Sequence, residues 1–319
     1  MPLRTLPLII LLAVFSGPAF AGDETTCRLQ DNAECLEALQ VRAANVASTR
    51  TADSKLYAVL VNGDSSDLHN LNIERAYEVL RTLGVPDENL YILSNSNPRP
   101  SAKITTLVTA RATTGNLSNV LAYVAGEIDE NDCLLLYTTG HGIRAKGQSA
   151  VVLNDGLLME KDLVKEMKRM TPAVSVVVMD QCFSGGFADA VEKSGLNAIA
   201  IASTDSRHET YCEYFAGAFW LSMIEPEADI NRDGRVSLTE CYDVAMSLHQ
   251  MALADTPERT HCRYVTTESG PEPAVVLGEQ TFTWDTEDET PRAKLVTASA
   301  DAPQRPVFRR HRAGFRAGE

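Results

Sequence analysis

Five apolar stretches, separated by segments of helical periodicity, constrain the fold of this 319-residue chain more than any other feature. The stretches are residues 56–61, 90–93, 133–137, 174–179 and 198–202. Between them, apolar side chains recur every three or four positions, as along the buried face of an amphipathic helix. Strands that are apolar on both sides need cover on both faces of their sheet. The sequence therefore predicts an α/β fold in which a mostly parallel sheet lies between two helical layers.

The overall composition excludes several classes of protein. The chain has 43 acidic and 29 basic residues, which gives a net charge of −14. This acidity argues against nucleic acid as a partner, because phosphate groups are bound by basic faces. Hydrophobic residues make up 44% of the chain and charged residues 23%, values that are ordinary for a folded protein and exclude wholesale disorder.

The first 21 residues have the pattern of a signal peptide. Arg4 precedes an apolar run over residues 6–15, and Ala19 and Ala21 flank Phe20 as small residues flank a signal-peptidase site. The run is too short to span a bilayer, and no other segment is long enough. We therefore expect an exported protein, periplasmic or secreted, whose mature chain has no membrane span.

Export changes the interpretation of the seven cysteines, because disulfides persist in oxidising compartments. Cys27 and Cys35 lie close together in a polar segment and are candidates for a disulfide. The other five are an odd number, so at least one thiol is unpaired or joined to another molecule. A free thiol in such a compartment points to a functional role.

Two predicted strands end in reactive residues. His141 stands between two glycines after the strand at 133–137, and Cys182 follows the strand at 174–179. Because the carboxyl ends of parallel strands share one edge of a sheet, the histidine and the thiol should lie on the same edge. An imidazole beside a thiol can remove its proton, and the backbone N–H groups of Gly142 and Cys182 can stabilise a tetrahedral oxyanion. This pattern indicates nucleophilic catalysis by Cys182 with His141 as the base.

The two strand-end motifs, Thr-Gly-His-Gly at 139–142 and Asp-Gln-Cys-Phe-Ser-Gly at 180–185, resemble those of caspase-fold cysteine peptidases. Within that clan the chain is most similar to the legumain-like group, which includes the catalytic subunit of the GPI-anchor transamidase. Weaker support comes from the stretches at 84–89, 153–156, 161–163, 202–204 and 209–211. The resemblance covers about residues 55–225 and implies a caspase-like three-layer αβα sandwich. It also implies an endopeptidase acting on peptides or proteins, in which attack by Cys182 gives a thioester acyl-enzyme that water resolves.

The same resemblance implies a primary specificity pocket. The substrate-binding residues that it assigns are His69, Asp180, Ser203 and Asp205. An acid at the position of Asp180 favours Arg or Lys at the scissile position. Legumain-like enzymes also carry this acid but select asparagine, balancing it with an arginine beside a histidine. Here His69 is retained whereas Leu68 stands in the place of the arginine, so we expect cleavage after Arg or Lys.

The resemblance leaves two questions open. The residue that steadies the catalytic histidine in legumains falls near Ser66 or Asp67. The alternatives to an Arg/Lys-specific peptidase are an asparaginyl endopeptidase or transpeptidase of legumain type, and a catalytically idle caspase-like module that binds a partner through calcium. The presence of both His141 and Cys182 favours an enzyme.

Residues 229–240 match the twelve-residue calcium loop of the EF-hand. The expected ligands are Asp229, Asn231, Asp233, the Arg235 carbonyl, Ser237 and a bidentate Glu240. Gly234 occupies the position of the sharp turn, and helices are predicted on both sides. Sensor proteins usually pair such loops, whereas one loop is visible in this sequence. We therefore expect a calcium ion with a structural or activating role.

Four segments follow from these patterns. They are a signal peptide at 1–21, an N-terminal segment with the candidate disulfide at 22–54, a peptidase domain including the calcium loop at 55–284, and a disordered tail at 285–319. The tail is expected to be disordered because it has no periodic apolar pattern.

Overall fold

The computed structural model describes residues 55–95, 107–210, 214–232, 236–252 and 261–267, and the backbone of three strands between residues 275 and 297. The strands are β1 (Leu56–Asn62), β2 (Leu90–Ser94), β3 (Val108–Arg111), β4 (Cys133–Thr139), β5 (Gly142–Ala145), β6 (Gln148–Leu153), β7 (Gly156–Met159), β8 (Val174–Asp180), β9 (Ala198–Ala202), β10 (Arg263–Thr266), β11 (Val275–Leu277), β12 (Gln280–Asp285) and β13 (Arg292–Thr297). The α-helices are α1 (Asp67–Thr82), α2 (Thr114–Glu127), α3 (Glu160–Met167), α4 (Gly185–Glu192), α5 (Phe215–Ser222) and α6 (Leu238–Ala252).

A seven-stranded sheet forms the centre of the described structure, in the order β10-β9-β8-β4-β1-β2-β3. Every pair of neighbours in it is parallel except β10 and β9, which are antiparallel. The five strands predicted from the sequence are β1, β2, β4, β8 and β9, and the prediction of a mostly parallel sheet is confirmed.

Alternate residues of the central strands serve two separate hydrophobic cores. In β1, Leu56, Ala58 and Leu60 pack in the core shared with α1, α5 and α6. The residues between them, such as Tyr57 and Val59, pack in the core shared with α2, α3 and α4. A strand buried on both faces has no polar side, which is why these strands are continuous apolar runs in the sequence.

Helix α1 begins earlier than its apolar periodicity predicts. The periodic residues start at Ile73, whereas the helix starts at Asp67. Its first turns bury polar side chains, among them His69 and Asn72, which face the ends of the central strands. The predicted pocket residue His69 is therefore part of a helix.

A small antiparallel sheet of β5, β6 and β7 follows His141 and was not predicted. Its first hairpin turns at Lys146 and Gly147, whose φ angles of 51° and 77° lie in the left-handed region. Because a left-handed conformation is uncommon for a residue such as Lys146, this turn is hard to predict from the sequence. Met159 ends β7, and helix α3 begins at the next residue.

Strands β11, β12 and β13 form a third, antiparallel sheet. Strand β13 lies inside the segment 285–319 and pairs with β12 from Asp285 opposite Arg292 to Gln280 opposite Thr297. Apart from Asp285 and β13, the segment 285–319 lies outside the described residues, and the disordered tail stays a prediction.

Several predictions fall outside the described residues. These are the signal peptide, the disulfide between Cys27 and Cys35, and the calcium-loop residues 233–235. Four cysteines are described, Cys133, Cys182, Cys241 and Cys262, and each is a free thiol. In the described part of the chain, no helix has both the length and the apolar character to cross a membrane.

Candidate active site

Three neighbouring strands end together at one edge of the central sheet. Asn62 of β1 lies opposite Thr139 of β4, and Thr139 lies opposite Asp180 of β8. His141 and Cys182 each stand two residues beyond a paired position. The parallel register therefore brings the loops that carry the predicted base and nucleophile side by side.

Glycines let the two loops approach closely. A Cβ atom on Gly142 would lie 1.9 Å from the Cys182 carbonyl oxygen, so no larger residue fits there without a shift of the backbone. The Val152 N–H donates to the His141 carbonyl at 2.9 Å, which makes Gly142 and Val151 a non-hydrogen-bonded pair. The Gly142 N–H is consequently directed away from β6, as an oxyanion donor must be.

His141 is exposed and has an acidic neighbour. Its side chain is 70% exposed, and its Nε2 atom lies 3.6 Å from Oδ2 of Asp64. The Asp64 N–H donates to Oδ1 of buried Asn62 at 2.9 Å, and Asn62 in turn donates to Asn70 at 2.7 Å. These bonds fix the turn that follows β1 and aim the Asp64 carboxylate at the imidazole.

The Asp64 carboxyl is ionised under ordinary conditions. Burial by itself would raise its pKa, but hydrogen bonds from Ser66 and Ser65 and the nearby His141 and His69 outweigh burial and lower the pKa. The resemblance puts the residue that steadies the histidine near Ser66 or Asp67, whereas the acid that the structure brings within 3.6 Å of the ring is Asp64. The role of Asp64 could not be predicted from the sequence, because the orientation of its carboxylate depends on a hydrogen bond to the Asn62 side chain.

The Cys182 thiol is half-buried at the start of a strained turn. Its Sγ accepts the Thr210 N–H at 3.5 Å. Burial raises the pKa of Cys182, and the charges of Glu209 and Asp180 raise it further. Phe183, the next residue, has φ 61°, and its N–H donates to the His208 carbonyl at 2.9 Å. The sulfur is therefore a neutral thiol in the free protein, and its attack requires a base.

Asp180 is completely buried between the ends of β4 and β8. Its Oδ2 atom accepts hydrogen bonds from Asn72 Nδ2 at 3.3 Å, Tyr137 OH at 3.4 Å and Thr139 Oγ1 at 3.3 Å. Burial raises the pKa of Asp180 to about 8, against the opposing effect of hydrogen bonds from Ser203, Thr139 and Tyr137. Among the described residues, no Lys or Arg forms an ion pair with this carboxyl.

His69 is connected to Asp180 through one hydroxyl. Its Nδ1 atom lies 2.7 Å from Thr139 Oγ1, which also contacts the Asp180 carboxyl. Burial lowers the pKa of His69 to about 4, against the opposing charge of Asp64. The imidazole is therefore neutral at neutral pH and does not supply the positive charge that would balance Asp180.

Ser203 and Asp205, the other two predicted pocket residues, have different surroundings. Ser203 is buried, and its N–H donates to the Met179 carbonyl at 3.1 Å, beside Asp180. The Asp205 carboxylate accepts the N–H groups of Arg207 at 2.7 Å and His208 at 2.9 Å. The Asp205 carboxylate thus forms its hydrogen bonds within its own loop, and not with the residues around Asp180.

Part of the predicted calcium loop is described. Ser237 and Glu240 form a capping box at the start of α6: the Glu240 N–H donates to Ser237 Oγ at 3.1 Å, and the Ser237 N–H donates to Glu240 Oε2 at 2.8 Å. The other Glu240 oxygen accepts the Asn231 N–H at 3.1 Å. Glu240 is fully buried, and it has no ion pair with a described Lys or Arg.

Comparison with known proteins assigns the family of this chain. The model of the peptidase C13 family matches residues 56–260. The chain therefore belongs to the peptidase C13 family, the legumain-like cysteine peptidases, and the resemblance inferred from the two strand-end motifs is confirmed.

One relative is only distantly similar to this chain in sequence. The vacuolar-processing enzyme delta-isozyme of Arabidopsis thaliana is 25% identical in an alignment of 273 positions that covers 69% of this chain and 57% of the plant protein. The chain thus spans little more than half the length of this relative.

Proposed function

We propose that this chain is an exported endopeptidase in which Cys182 attacks the scissile carbonyl and His141 acts as the base. The close approach of Gly142 to Cys182, set by the register of β4 and β8, is the observation that supports this proposal most. The burial that keeps the Cys182 thiol protonated makes a base necessary. His141, exposed at the same edge, is free to meet both the thiol and a substrate.

The steps follow from these positions. His141 accepts the thiol proton as sulfur bonds to the carbonyl carbon, and the N–H groups of Gly142 and Cys182 stabilise the oxyanion. His141 then donates the proton to the leaving amine as the peptide bond breaks. Water hydrolyses the resulting thioester, again with His141 as the base. Asp64 holds the imidazole in place during these proton transfers.

The proposed specificity is for Arg or Lys at the scissile position. Asp64 brings negative charge to this edge of the sheet and Asp180 adds a buried carboxyl group, while His69 is neutral and Leu68 replaces a cation. A guanidinium or ammonium group of the substrate would supply the partner that the Asp180 carboxyl lacks among the described residues. Bringing in this cation would also favour the ionised form of Asp180.

A positional-scanning peptide library tests this specificity. Wild-type protein should cleave after Arg or Lys, and Asp180→Asn should weaken that preference by roughly 2 to 4 kcal/mol, the cost of leaving a buried charge unpaired. Asp162→Asn, on the exposed side of α3, is the matched control and should leave the preference unchanged. Preferred cleavage after Asn would contradict the proposal and favour the legumain-type alternative.

Active-site labelling tests the proposed nucleophile directly. A peptidyl ketone carrying Arg should modify wild-type protein and Cys262→Ala equally, and should not modify Cys182→Ala. Cys262 is the matched control because it is half-buried and its pKa is raised by burial to about 12. Labelling of Cys182→Ala at the wild-type rate would contradict the assignment, and no labelling of any variant would support the idle binding module.

We also propose a calcium ion at residues 229–240. The capping box accounts for the contacts of Ser237 and Glu240 with the backbone, but it leaves the buried charge of Glu240 without a cation in the described residues. Calcium would balance this charge, with oxygen ligands from Asp229, Asn231, Asp233, the Arg235 carbonyl and Ser237. Because the sequence shows a single loop, the ion is proposed as a structural one.

A further inference from the structure

Three side chains that the proposed mechanism does not use meet beside the nucleophile loop. Asp205, His208 and His261 are all half-buried, and one potential ligand atom from each lies within 4.8 Å of the other two. The His208 Nδ1 atom lies 2.8 Å from Asp205 Oδ1. The rings of His208 and His261 have centroids 4.1 Å apart and an interplanar angle of 31°. We call these three residues the Asp205 cluster.

The donor set of the cluster fits a borderline transition-metal ion such as zinc. Two imidazoles and one carboxylate are common zinc ligands, whereas calcium is held by oxygen atoms. With bonds of about 2.0–2.1 Å, the ligands of a tetrahedral zinc ion lie about 3.4 Å apart. The ligand atoms of the Asp205 cluster are close enough for small side-chain rotations to reach this spacing. Water would then occupy the fourth position.

We propose that the Asp205 cluster binds zinc and thereby fastens the loop at 205–208 to the residue two positions before β10. His208 and His261 are 53 positions apart in the chain, so an ion between them would tie two distant segments together. The Asp205 carboxylate already accepts two backbone N–H groups of its own loop. Such bonds orient a ligating carboxylate before the ion arrives.

The fastened loop forms one wall of the candidate active site. The His208 carbonyl accepts the Phe183 N–H at 2.9 Å, directly after the nucleophile. Two residues further on, the Thr210 N–H donates to Cys182 Sγ. Neither His141 nor Cys182 belongs to the cluster. The ion would therefore stabilise the surroundings of the nucleophile and leave the dyad free.

Cobalt binding tests this site without relying on activity. The titration uses calcium-saturated full-length Cys182→Ala protein, so that neither the catalytic thiol nor the calcium loop competes for the metal. Cobalt should produce the visible absorption of tetrahedral Co²⁺, and zinc should displace it. No thiolate-to-cobalt charge-transfer band is expected, because the three ligands are nitrogen and oxygen.

Variants in the same background assign the ligands. His261→Ala and Asp205→Asn should each weaken cobalt binding by at least about tenfold, since each removes one of three protein ligands. Asp205→Asn keeps an acceptor for the N–H groups of Arg207 and His208, so it remains informative if His261→Ala does not fold. Arg207→Ala, an exposed neighbour in the same loop, is the matched control and should bind like the parent.

Thermal unfolding gives a second readout. Zinc at a hundredfold excess over its Kd should raise the Tm of the Cys182→Ala parent by about 5 to 10 °C, and the Tm of Asp205→Asn much less. Unchanged cobalt affinity in both ligand variants would overturn the proposal. So would a strong charge-transfer band, which would indicate binding by a thiolate such as Cys262, or the absence of any visible absorption.

Discussion

At the scale of single residues, Asp180 shows how burial at the end of a strand changes a carboxylic acid. The group has a pKa of about 8 in the folded protein and a reference value of 3.8. The folded state therefore holds this proton more tightly than the unfolded state does. The stability that this proton contributes is fully present below pH 3.8 and is lost as the pH rises through 8.

Replacement of Asp180 by Asn should abolish the loss of stability that occurs as the pH rises. Relative to wild type, Asp180→Asn should gain stability on going from pH 5 to pH 9, by a few kcal/mol at most, because one pKa unit corresponds to about 1.4 kcal/mol. Urea unfolding at several pH values measures the difference. The exposed Asp162→Asn is the control. An equal stability difference between Asp180→Asn and wild type at pH 5 and pH 9 would show that the carboxyl is not buried in this way.

Asp64 is the residue for which the structure adds most to the sequence. Asp64→Asn removes the anion 3.6 Å from the His141 ring and should lower kcat roughly tenfold to a hundredfold with little change in KM. Asp67→Asn is the matched control, since this exposed acid lies three residues further along and was one of the positions expected for the role. A larger loss for Asp67→Asn than for Asp64→Asn would reverse the assignment.

At the scale of elements, what could be predicted depended on how each element is buried. Strands β1, β4 and β8 are buried on both faces, so their apolar runs are unmistakable in the sequence. Strands β3 and β10 lie at the edges of the sheet and have four residues each. Their sequences alone do not distinguish them from loops, because pairing with a neighbour decides their conformation.

In the candidate site, too, some parts could be predicted from the sequence and others could not. The loops of His141 and Cys182 could be placed together because parallel strands end at one edge. The environment of Asp205 could not be predicted, since it depends on the turn that brings His208 back to the carboxylate. Contacts between side chains from distant positions, such as His208 with His261, have no periodic signal in a single sequence.

The calcium loop yields a prediction at the element scale. The proposed calcium ion would bind only the folded loop, so addition of calcium should raise the Tm and a chelator should lower it. Glu240→Gln removes the bidentate anion and should abolish most of this response, while Glu227→Gln, an exposed acid before the loop, should retain it. Differential scanning calorimetry measures both variants. A Tm that no chelator changes, together with no heat of calcium binding, would reject the site.

At the scale of the whole molecule, the two cores explain why the site can be rigid. Helices cover both faces of the sheet, so β4 and β8 are held in register from Cys133 opposite Val174 to Thr139 opposite Asp180. The reactive residues stand two positions beyond this register, at the carboxyl ends of the strands. Loss of either reactive side chain should therefore remove catalysis without removing the fold.

Hydrolysis of an Arg-containing fluorogenic peptide by Cys182→Ala and His141→Ala tests the central claim most directly. Both variants should unfold like wild type, and kcat/KM should fall by roughly 10⁴-fold or more in each, as for other nucleophile–base pairs. Cys262→Ala, which removes a thiol outside the dyad, should keep wild-type activity. Substantial turnover by a folded Cys182→Ala or His141→Ala protein would contradict the account of this protein as a cysteine endopeptidase with a His141–Cys182 dyad.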